Sequence, residues 1–278
     1  MIVHNGIKWK EYQGALLPDV PPHQLVDISD TDIRYLLKTS GAYFLRWVSD
    51  FDRGTESEFW YVINGSACTL EELSSNTRSK IRRGLKKCSA RKVDVSYIAE
   101  NAYSVYRKAF ERYEGSQKPI SEKDFSQNIR SMDSPEWEFW AVFDNTDMLI
   151  AYTENRVEDN TCNYAAIKFD PEGLKLYSSY ALFFEMNNSY LSTLKYRYVN
   201  DGARSIYHDT NIQNFLIDKF KFRKAYCRLH IAYRSDIKFL IMLCYPLRSV
   251  IGKFKSGPLH RVSVLLRQEE IRRSGELY

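Results

Sequence analysis

Residues 137–169 read WEFWAVFDNTDMLIAYTENRVEDNTCNYAAIKF and decide the fold of the chain. Aromatic and β-branched residues, which favour strands, are concentrated in three segments of it: Trp137–Phe143, Met148–Val157 and Thr161–Phe169. Short runs of turn-forming residues separate these segments, at 144–147 and at 158–160. Because such short turns join antiparallel neighbours, the stretch predicts a three-stranded antiparallel meander.

The sequence on both sides of the meander alternates between strand and helix patterns. Predicted strands are 43–48, 58–63, 93–98, 196–199 and 225–233, and predicted helices are 78–92, 101–113, 174–191, 211–219 and 237–255. This order predicts an α+β, or mixed α/β, fold in which one central, mostly antiparallel sheet is flanked by helices. We expect a single domain at 41–235, an N-terminal covering segment at 1–40 and a helical tail at 236–278.

Composition excludes several classes of protein. The chain has 278 residues with 44% hydrophobic and 27% charged residues, which is typical of a globular protein and not of a disordered one. Its five Cys are dispersed without metal-ligand spacing, so we expect no metal site and a reducing cytoplasm. We expect no signal peptide, because the first residues lack an apolar segment.

The segment 78–92, RSKIRRGLKKCSARK, has eight Lys or Arg residues and no Asp or Glu. On a helix, Ile81, Leu85 and Cys88 would form a narrow apolar face, with a basic stripe beside it. A solvated surface, a phosphorylated ligand, RNA and an anionic membrane all remain open as its environment. No RNA-binding signature accompanies the segment, and no aromatic residue interrupts it.

Two polar loops follow predicted strands. The turn 170–180, DPEGLKLYSSY, joins the third meander strand to a helix, whose N-terminal N–H groups would suit a phosphate or an oxyanion. The stretch 199–211, VNDGARSIYHDTN, brings together Asp201, Arg204, His208 and Asn211 between a strand and a helix. His208 would serve there as a general base. No Walker A, GxGxxG, GxSxG or HExxH pattern occurs.

Three parts of the sequence resemble one family. The basic segment Ser75–Lys87, the meander with its turn 170–180, and the closing helix and strand at 211–233 are similar to the GNAT-like acyltransferase superfamily, especially its FemAB-like branch. The resemblance covers about 43–235. The sequence departs from the usual phosphate-binding pattern, since GLKLYSSYA has one Gly, and Ile217 stands near the place of a frequent Tyr acid.

The resemblance implies an N-acyltransferase that moves an acyl or aminoacyl group from an activated donor to an amine. Acyl-CoA is the expected donor and aminoacyl-tRNA the alternative. Expected donor contacts are Arg78, Arg82, Arg83, Lys86, Lys175, Ser178 and Ser179. Expected acceptor contacts are Arg204 and Asn211, and the expected catalytic groups are His208, Asp201 and Tyr180.

A non-catalytic role is the alternative hypothesis. In it the acyltransferase-like fold binds RNA or an anionic membrane through the basic segment and the tail. The apolar run Phe239–Leu247 is too short to span a bilayer, which takes about 20 residues. Five cations follow this run: Arg248, Lys253, Lys255, Arg261 and Arg267. The tail is therefore either a helix packed on the domain or an interfacial helix, and we expect a cytoplasmic bacterial protein with peripheral contact to the inner membrane as the alternative.

Overall fold

The computed structural model describes residues 1–110, 118–206, 211–254 and 256–275. Their strands are β1 (Ile2–His4), β2 (Ile7–Tyr12), β3 (Ala15–Pro18), β4 (Phe44–Arg53), β5 (Trp60–Asn64), β6 (Cys88–Val93), β7 (Trp137–Asp144), β8 (Leu149–Glu158), β9 (Thr161–Phe169), β10 (Tyr198–Ala203) and β11 (Arg223–Tyr233).

Their helices are α1 (Asp30–Ser40), α2 (Ser75–Lys87), α3 (Val95–Asn101), α4 (Tyr103–Phe110), α5 (Glu122–Arg130), α6 (Pro171–Leu174), α7 (Ser178–Asn187), α8 (Asn211–Phe220), α9 (Ser235–Cys244), α10 (Arg248–Ile251) and α11 (Gly257–Ser274). A π-helix, Asn188–Thr193, continues α7, and a 3₁₀ helix, Tyr245–Leu247, joins α9 to α10.

The chain divides into two compact units. The N-terminal unit comprises Met1–Tyr61 with the described parts of 203–210 and 224–278, and the central unit comprises Val62–Gly202 with Asn211–Arg223. Within the N-terminal unit, residues 1–40 form strands and a helix, and Trp9, Leu16 and Leu36 pack there in one apolar core with Leu45 of β4. The family domain expected at 41–235 stays a prediction.

The N-terminal unit holds the strands in the order β1-β2-β3-β4-β11. β3 and β4 are parallel, and the other neighbours are antiparallel. The helix α1 begins with a capping box in which Ser29 and Asp32 bond each other's backbone N–H groups.

The central unit holds the strands in the order β5-β10-β9-β8-β7-β6. β7, β8 and β9 form the predicted antiparallel meander, within one residue of the predicted bounds. One face of the meander packs on α3, α4 and α5, through an apolar core that includes Ile98, Phe125 and Phe139. The other face packs on α7 and the π-helix, and this second face carries the polar side chains described below.

Two predicted elements next to the meander are wrong. The basic helix was expected to extend to Lys92, but α2 ends at Lys87 and the next residues form the edge strand β6, paired with β7. The segment 93–98, expected as a strand, mostly lies in α3, which buries Ile98 and Ala99. Short alternating segments fit either structure, and pairing with β7 decided between them.

Candidate active site

The parallel strands β9 and β10 separate within the central unit. They pair only at their first residues, Thr161–Asn163 with Tyr198–Asn200. Tyr164 and Asp201 follow directly, each two residues beyond the paired residues Cys162 and Val199. Because side chains alternate along a strand, Tyr164 and Asp201 lie on the same face of the sheet, where the two strands part.

Asp201 is held at this point by a tight turn. The Asn200 carboxamide oxygen accepts the Gly202 N–H at 2.6 Å, and Gly202 adopts a φ of 85°. The Asp201 carbonyl oxygen accepts a hydrogen bond from Gln213 at 3.5 Å, which brings the first turn of α8 beside it. Burial raises the pKa of the Asp201 carboxyl to about 7. A carboxyl with such a pKa can accept a proton near neutral pH.

Tyr164 gives the same place a neutral phenol. Its O–H donates to Asn187 Oδ1 at 2.7 Å, and burial raises its pKa well above the ordinary value. The nearby Asp201 carboxylate raises the pKa of Tyr164 further. Asn187 Nδ2 is buried and has no hydrogen-bond partner among the described residues. The face where β9 and β10 part therefore combines a carboxyl of raised pKa, a phenol and an amide N–H that has no partner among the described residues.

A buried polar network continues along this face toward β7. Tyr190, on the π-helix, donates its O–H to Glu138 at 2.8 Å and accepts hydrogen bonds from Trp140 at 3.0 Å and Asn155 at 3.3 Å. Lys92 forms an ion pair with Glu138 at 2.7 Å. π-Helices often occur at functional sites. Sequence reasoning missed this network, because its members come from four separate elements.

The helix α2 carries an unneutralised basic surface. Its six cations are Arg78, Lys80, Arg82, Arg83, Lys86 and Lys87, and none has a carboxylate partner in the described part of the chain. Four of them, the predicted donor contacts, line a shallow depression of about 430 Å³ together with Ser75 and Ser79. The other two cations, Lys80 and Lys87, lie 5.4 Å and 5.9 Å from the rings of Tyr180 and Tyr177. The basic depression faces solvent.

The helix α2 lies directly on the N-terminus of α7. A Cβ atom on Gly84 would lie 2.6 Å from the Tyr177 carbonyl oxygen and 3.2 Å from the Ala181 Cβ, so only glycine allows this approach. Ser178 is fully buried there and Ser179 half-buried. Of the two predicted serine contacts, Ser178 is thus covered by protein.

Other predicted site residues have different surroundings. Lys175 is exposed and forms an ion pair with Glu172 at 2.7 Å. The ring of Tyr180 is buried against Phe215 and Phe220, with centroids at 5.1 Å and 6.1 Å.

The remaining predicted residues follow β10 in the chain. Asn211 is the exposed first residue of α8. Arg204 belongs to the N-terminal unit, where it bonds the Glu58 carboxylate at 2.9 Å and its guanidinium carbon lies 4.3 Å from the Trp60 ring centre. His208 lies outside the described residues, as does Tyr207.

The N-terminal unit contains a cavity of about 1040 Å³ that sequence reasoning did not anticipate. Its walls are largely apolar, with Phe44, Phe59 and Leu265 among the lining residues. Cations also reach it, among them Arg46, whose guanidinium donates to Gln268 at 3.0 Å. The lining comes from distant segments of the chain, and no local pattern connects them.

Several solved structures resemble this chain in fold, although no family model and no curated protein matches its sequence. FemX aligns over 85% of this chain and 86% of its own, with a TM-score of 0.56 and 9% identity. The L-PGS from Bacillus licheniformis aligns over 96% and 86%, with a TM-score of 0.49 and 12% identity. The ribosomal-protein-S18-alanine N-acetyltransferase from Escherichia coli aligns over 38% and 60%, with a TM-score of 0.30 and 16% identity.

The fold is therefore similar to that of FemX, in agreement with the resemblance to FemAB-like proteins that the sequence predicted. At 9% identity the likeness to FemX concerns the fold alone. Within the described ranges, no three or more His, Cys, Asp or Glu side chains are grouped so as to bind a metal ion. In the same ranges, no helix has both the length and the apolar character needed to cross a membrane.

Proposed function

We propose that the chain is an acyltransferase that moves an acyl or aminoacyl group from a phosphate-bearing donor to an amine. The observation that carries this proposal is the half-buried Asp201 carboxyl, whose pKa of about 7 suits a general base. Its position supports the same function, because it stands where the pairing between the parallel strands β9 and β10 ends.

In the proposed reaction, the amine nitrogen attacks the carbonyl carbon of the donor. The new C–N bond forms, and the bond from that carbon to sulfur (in a thioester) or to oxygen (in an ester) breaks. Asp201 takes the proton that the attacking amine loses and releases it to solvent, and the leaving thiolate or alkoxide takes a proton from solvent, so that no net proton is gained or lost. Most of the acceleration would come from holding amine and donor together, which needs few conserved side chains.

The donor's phosphates would bind the basic depression on α2. Arg78, Arg82, Arg83 and Lys86 point outward there without carboxylate partners among the described residues. Coenzyme A is such a donor, because it carries phosphates that could bind these cations while its reactive thiol lies far from them. Because Ser178 is buried beneath α2, the arginines, and not the turn at Ser178, are the proposed phosphate contacts.

A second donor is aminoacyl-tRNA, and the density of charge on α2 favours it. Six cations within ten residues, none with a carboxylate partner in the described ranges, exceed what the few phosphates of coenzyme A require. The two donors differ in salt dependence, since a polyanion releases many counterions on binding. A steep fall of donor affinity between 50 and 200 mM salt would assign aminoacyl-tRNA, and a shallow one coenzyme A.

The test of the proposed base is a pH–rate profile of wild type and Asp201→Asn with acyl-CoA or aminoacyl-tRNA and a panel of amines. We expect the wild-type kcat/KM to rise with pH through about 7, because the carboxylate is the active form. Asp201→Asn should lower it by about 100-fold or more and remove that rise. The control is Asp218→Asn, an exposed carboxyl on α8. Full activity of Asp201→Asn would exclude Asp201 as the base.

A further inference from the structure

The helices that follow β11 expose a continuous apolar surface. Five large side chains are between 56% and 61% exposed: Phe239, Met242, Leu243, Leu247 and Val250. Their spacing places them on one side of the nearly continuous helical segment formed by α9, the 3₁₀ helix and α10. Phe254 and Leu259 extend the surface toward α11, and we call these seven side chains the apolar stripe.

The apolar stripe does not serve the core of the N-terminal unit. The opposite side of the same segment already packs inward, where Ile241 and Ile251 are buried against Leu266 of α11. Folding therefore accounts for one side of these helices only. So many large apolar side chains in one exposed stripe mark an interaction surface.

Positive charge surrounds the apolar stripe. Residues 237–268 contain six Lys or Arg residues and no Asp or Glu, and two of the six, Arg248 and Arg267, pair with Glu270 outside that range. Lys238 and Lys253 are exposed and have no ion-pair partner among the described residues, and Arg261 is exposed as well. The surface thus combines apolar side chains at its centre with cations that no acidic residue of its own segment neutralises.

The combination of apolar side chains and cations indicates which kind of partner binds the apolar stripe. Nucleic acid would satisfy the cations and leave Phe239, Met242 and Leu243 without apolar contact. A second copy of the chain would bury the apolar side chains and bring two cationic segments together, which costs electrostatic energy. An anionic lipid bilayer satisfies both, since its acyl region accepts the apolar side chains and its headgroups the cations.

We propose that the segment 237–261 docks this protein on an anionic lipid bilayer. Phe239, Met242, Leu243, Leu247 and Val250 insert between the headgroups, and Lys238, Lys253 and Arg261 contact lipid phosphates. This is peripheral binding along the bilayer surface and is independent of the proposed acyl transfer.

The test is flotation with vesicles of phosphatidylcholine, with and without 30% phosphatidylglycerol. We expect the full chain to bind the anionic vesicles at least tenfold more strongly. Leu243→Asp with Leu247→Asp should abolish binding to both kinds of vesicle. Lys238→Glu with Lys253→Glu should remove the preference for anionic vesicles. The matched control is Leu25→Asp, an exposed leucine of the same unit, which should bind like wild type.

Two further measurements exclude the other occupants. Phe239→Trp should give added fluorescence that brominated lipids quench, and an absence of quenching would overturn the proposal. Thermal unfolding of each variant checks that the fold is intact. A wild-type dimer that Leu243→Asp converts to a monomer, with no vesicle binding by either, would assign the stripe to self-association. Binding to single-stranded RNA in preference to vesicles would equally overturn the proposal.

Discussion

Asp201 is the residue at which stability and proposed function oppose each other. Burial disfavours its charged form, so its pKa rises to about 7 from a model-compound value of 3.8. Among the described residues, no Lys or Arg contributes to the shift and no ion pair compensates for the burial. A folded protein gains nothing in stability from a carboxyl in that state. Its presence fits a site whose chemistry needs a base near neutral pH.

Asp201→Asn should stabilise the protein at neutral and alkaline pH. Because the folded pKa is raised, the folded state binds more protons than the unfolded state between about pH 4 and 7, and wild-type stability falls as pH rises through that window. Asn does not titrate, so the free energy of unfolding of the variant should exceed that of wild type by an amount that grows over the same window to roughly 2–4 kcal/mol. Urea unfolding at pH 4 and pH 8 measures it, and an equal advantage at both pH values would contradict the raised pKa.

Tyr190→Phe should destabilise the central unit without changing its shape. The substitution removes a hydroxyl that bonds Glu138, Trp140 and Asn155, and it leaves the buried Trp140 N–H without its acceptor. Such a loss costs about 1–3 kcal/mol. Denaturant unfolding measures it against the control Tyr196→Phe, because Tyr196 stacks on Tyr190 at 5.5 Å and its hydroxyl has no hydrogen bond among the described residues. Equal stability of the two variants would refute the role of the hydroxyl.

At the scale of elements, the sequence predicted the strands whose residue pattern extends over many positions. The meander and β11 repeat strand-forming residues over eight or more positions, and they lie where the pattern placed them. The end of α2 could not be predicted from the residues around it. Lys86 to Lys92 suits a helix and an exposed edge strand equally well, and β7 supplied the partner that settled it. Helix α11 was expected only as part of the helical tail at 236–278, without bounds of its own.

Gly84→Ala tests the packing of α2 on α7. The added methyl would meet the Tyr177 carbonyl at 2.6 Å, a backbone atom that cannot rotate away. Although alanine favours helix, we expect a net loss of about 1–3 kcal/mol, because overpacking outweighs propensity. The control Asn76→Ala, on an exposed position of the same helix, should be neutral or slightly stabilising. A stabilised Gly84→Ala would mean that the two helices are not in contact there.

At the scale of the molecule, the candidate site could be predicted only in part. The basic residues of α2 are adjacent along one helix, so the sequence alone placed four of them on one surface, and their role as donor contacts stays a prediction. Asp201 was identified as part of a polar loop, but the raised pKa depends on burial, which no local pattern contains. Tyr164, Asn187 and Tyr190 reach the same face from three elements, and only the pairing of the strands brings them together.

Charge is distributed unevenly over the whole molecule. Residues 75–92 and 237–268 together hold 14 of the 40 Lys and Arg residues and none of the 35 Asp and Glu residues. The rest of the chain therefore has a formal net charge of −9, although the protein as a whole is at +5. A basic protein with this distribution would bind anions at two defined surfaces and repel them elsewhere.

Substitutions in the two basic surfaces should therefore weaken different kinds of binding. Arg82→Glu with Arg83→Glu should weaken donor binding at least tenfold and leave binding to phosphatidylglycerol vesicles unchanged, since these arginines lie on α2. Lys238→Glu with Lys253→Glu should do the reverse. Both pairs change the net charge by −4, so each controls for the effect of overall charge on the other. Donor titration and vesicle flotation at 100 mM salt measure the two affinities. If both pairs weakened both kinds of binding equally, net charge and not two distinct surfaces would account for the attraction of anions.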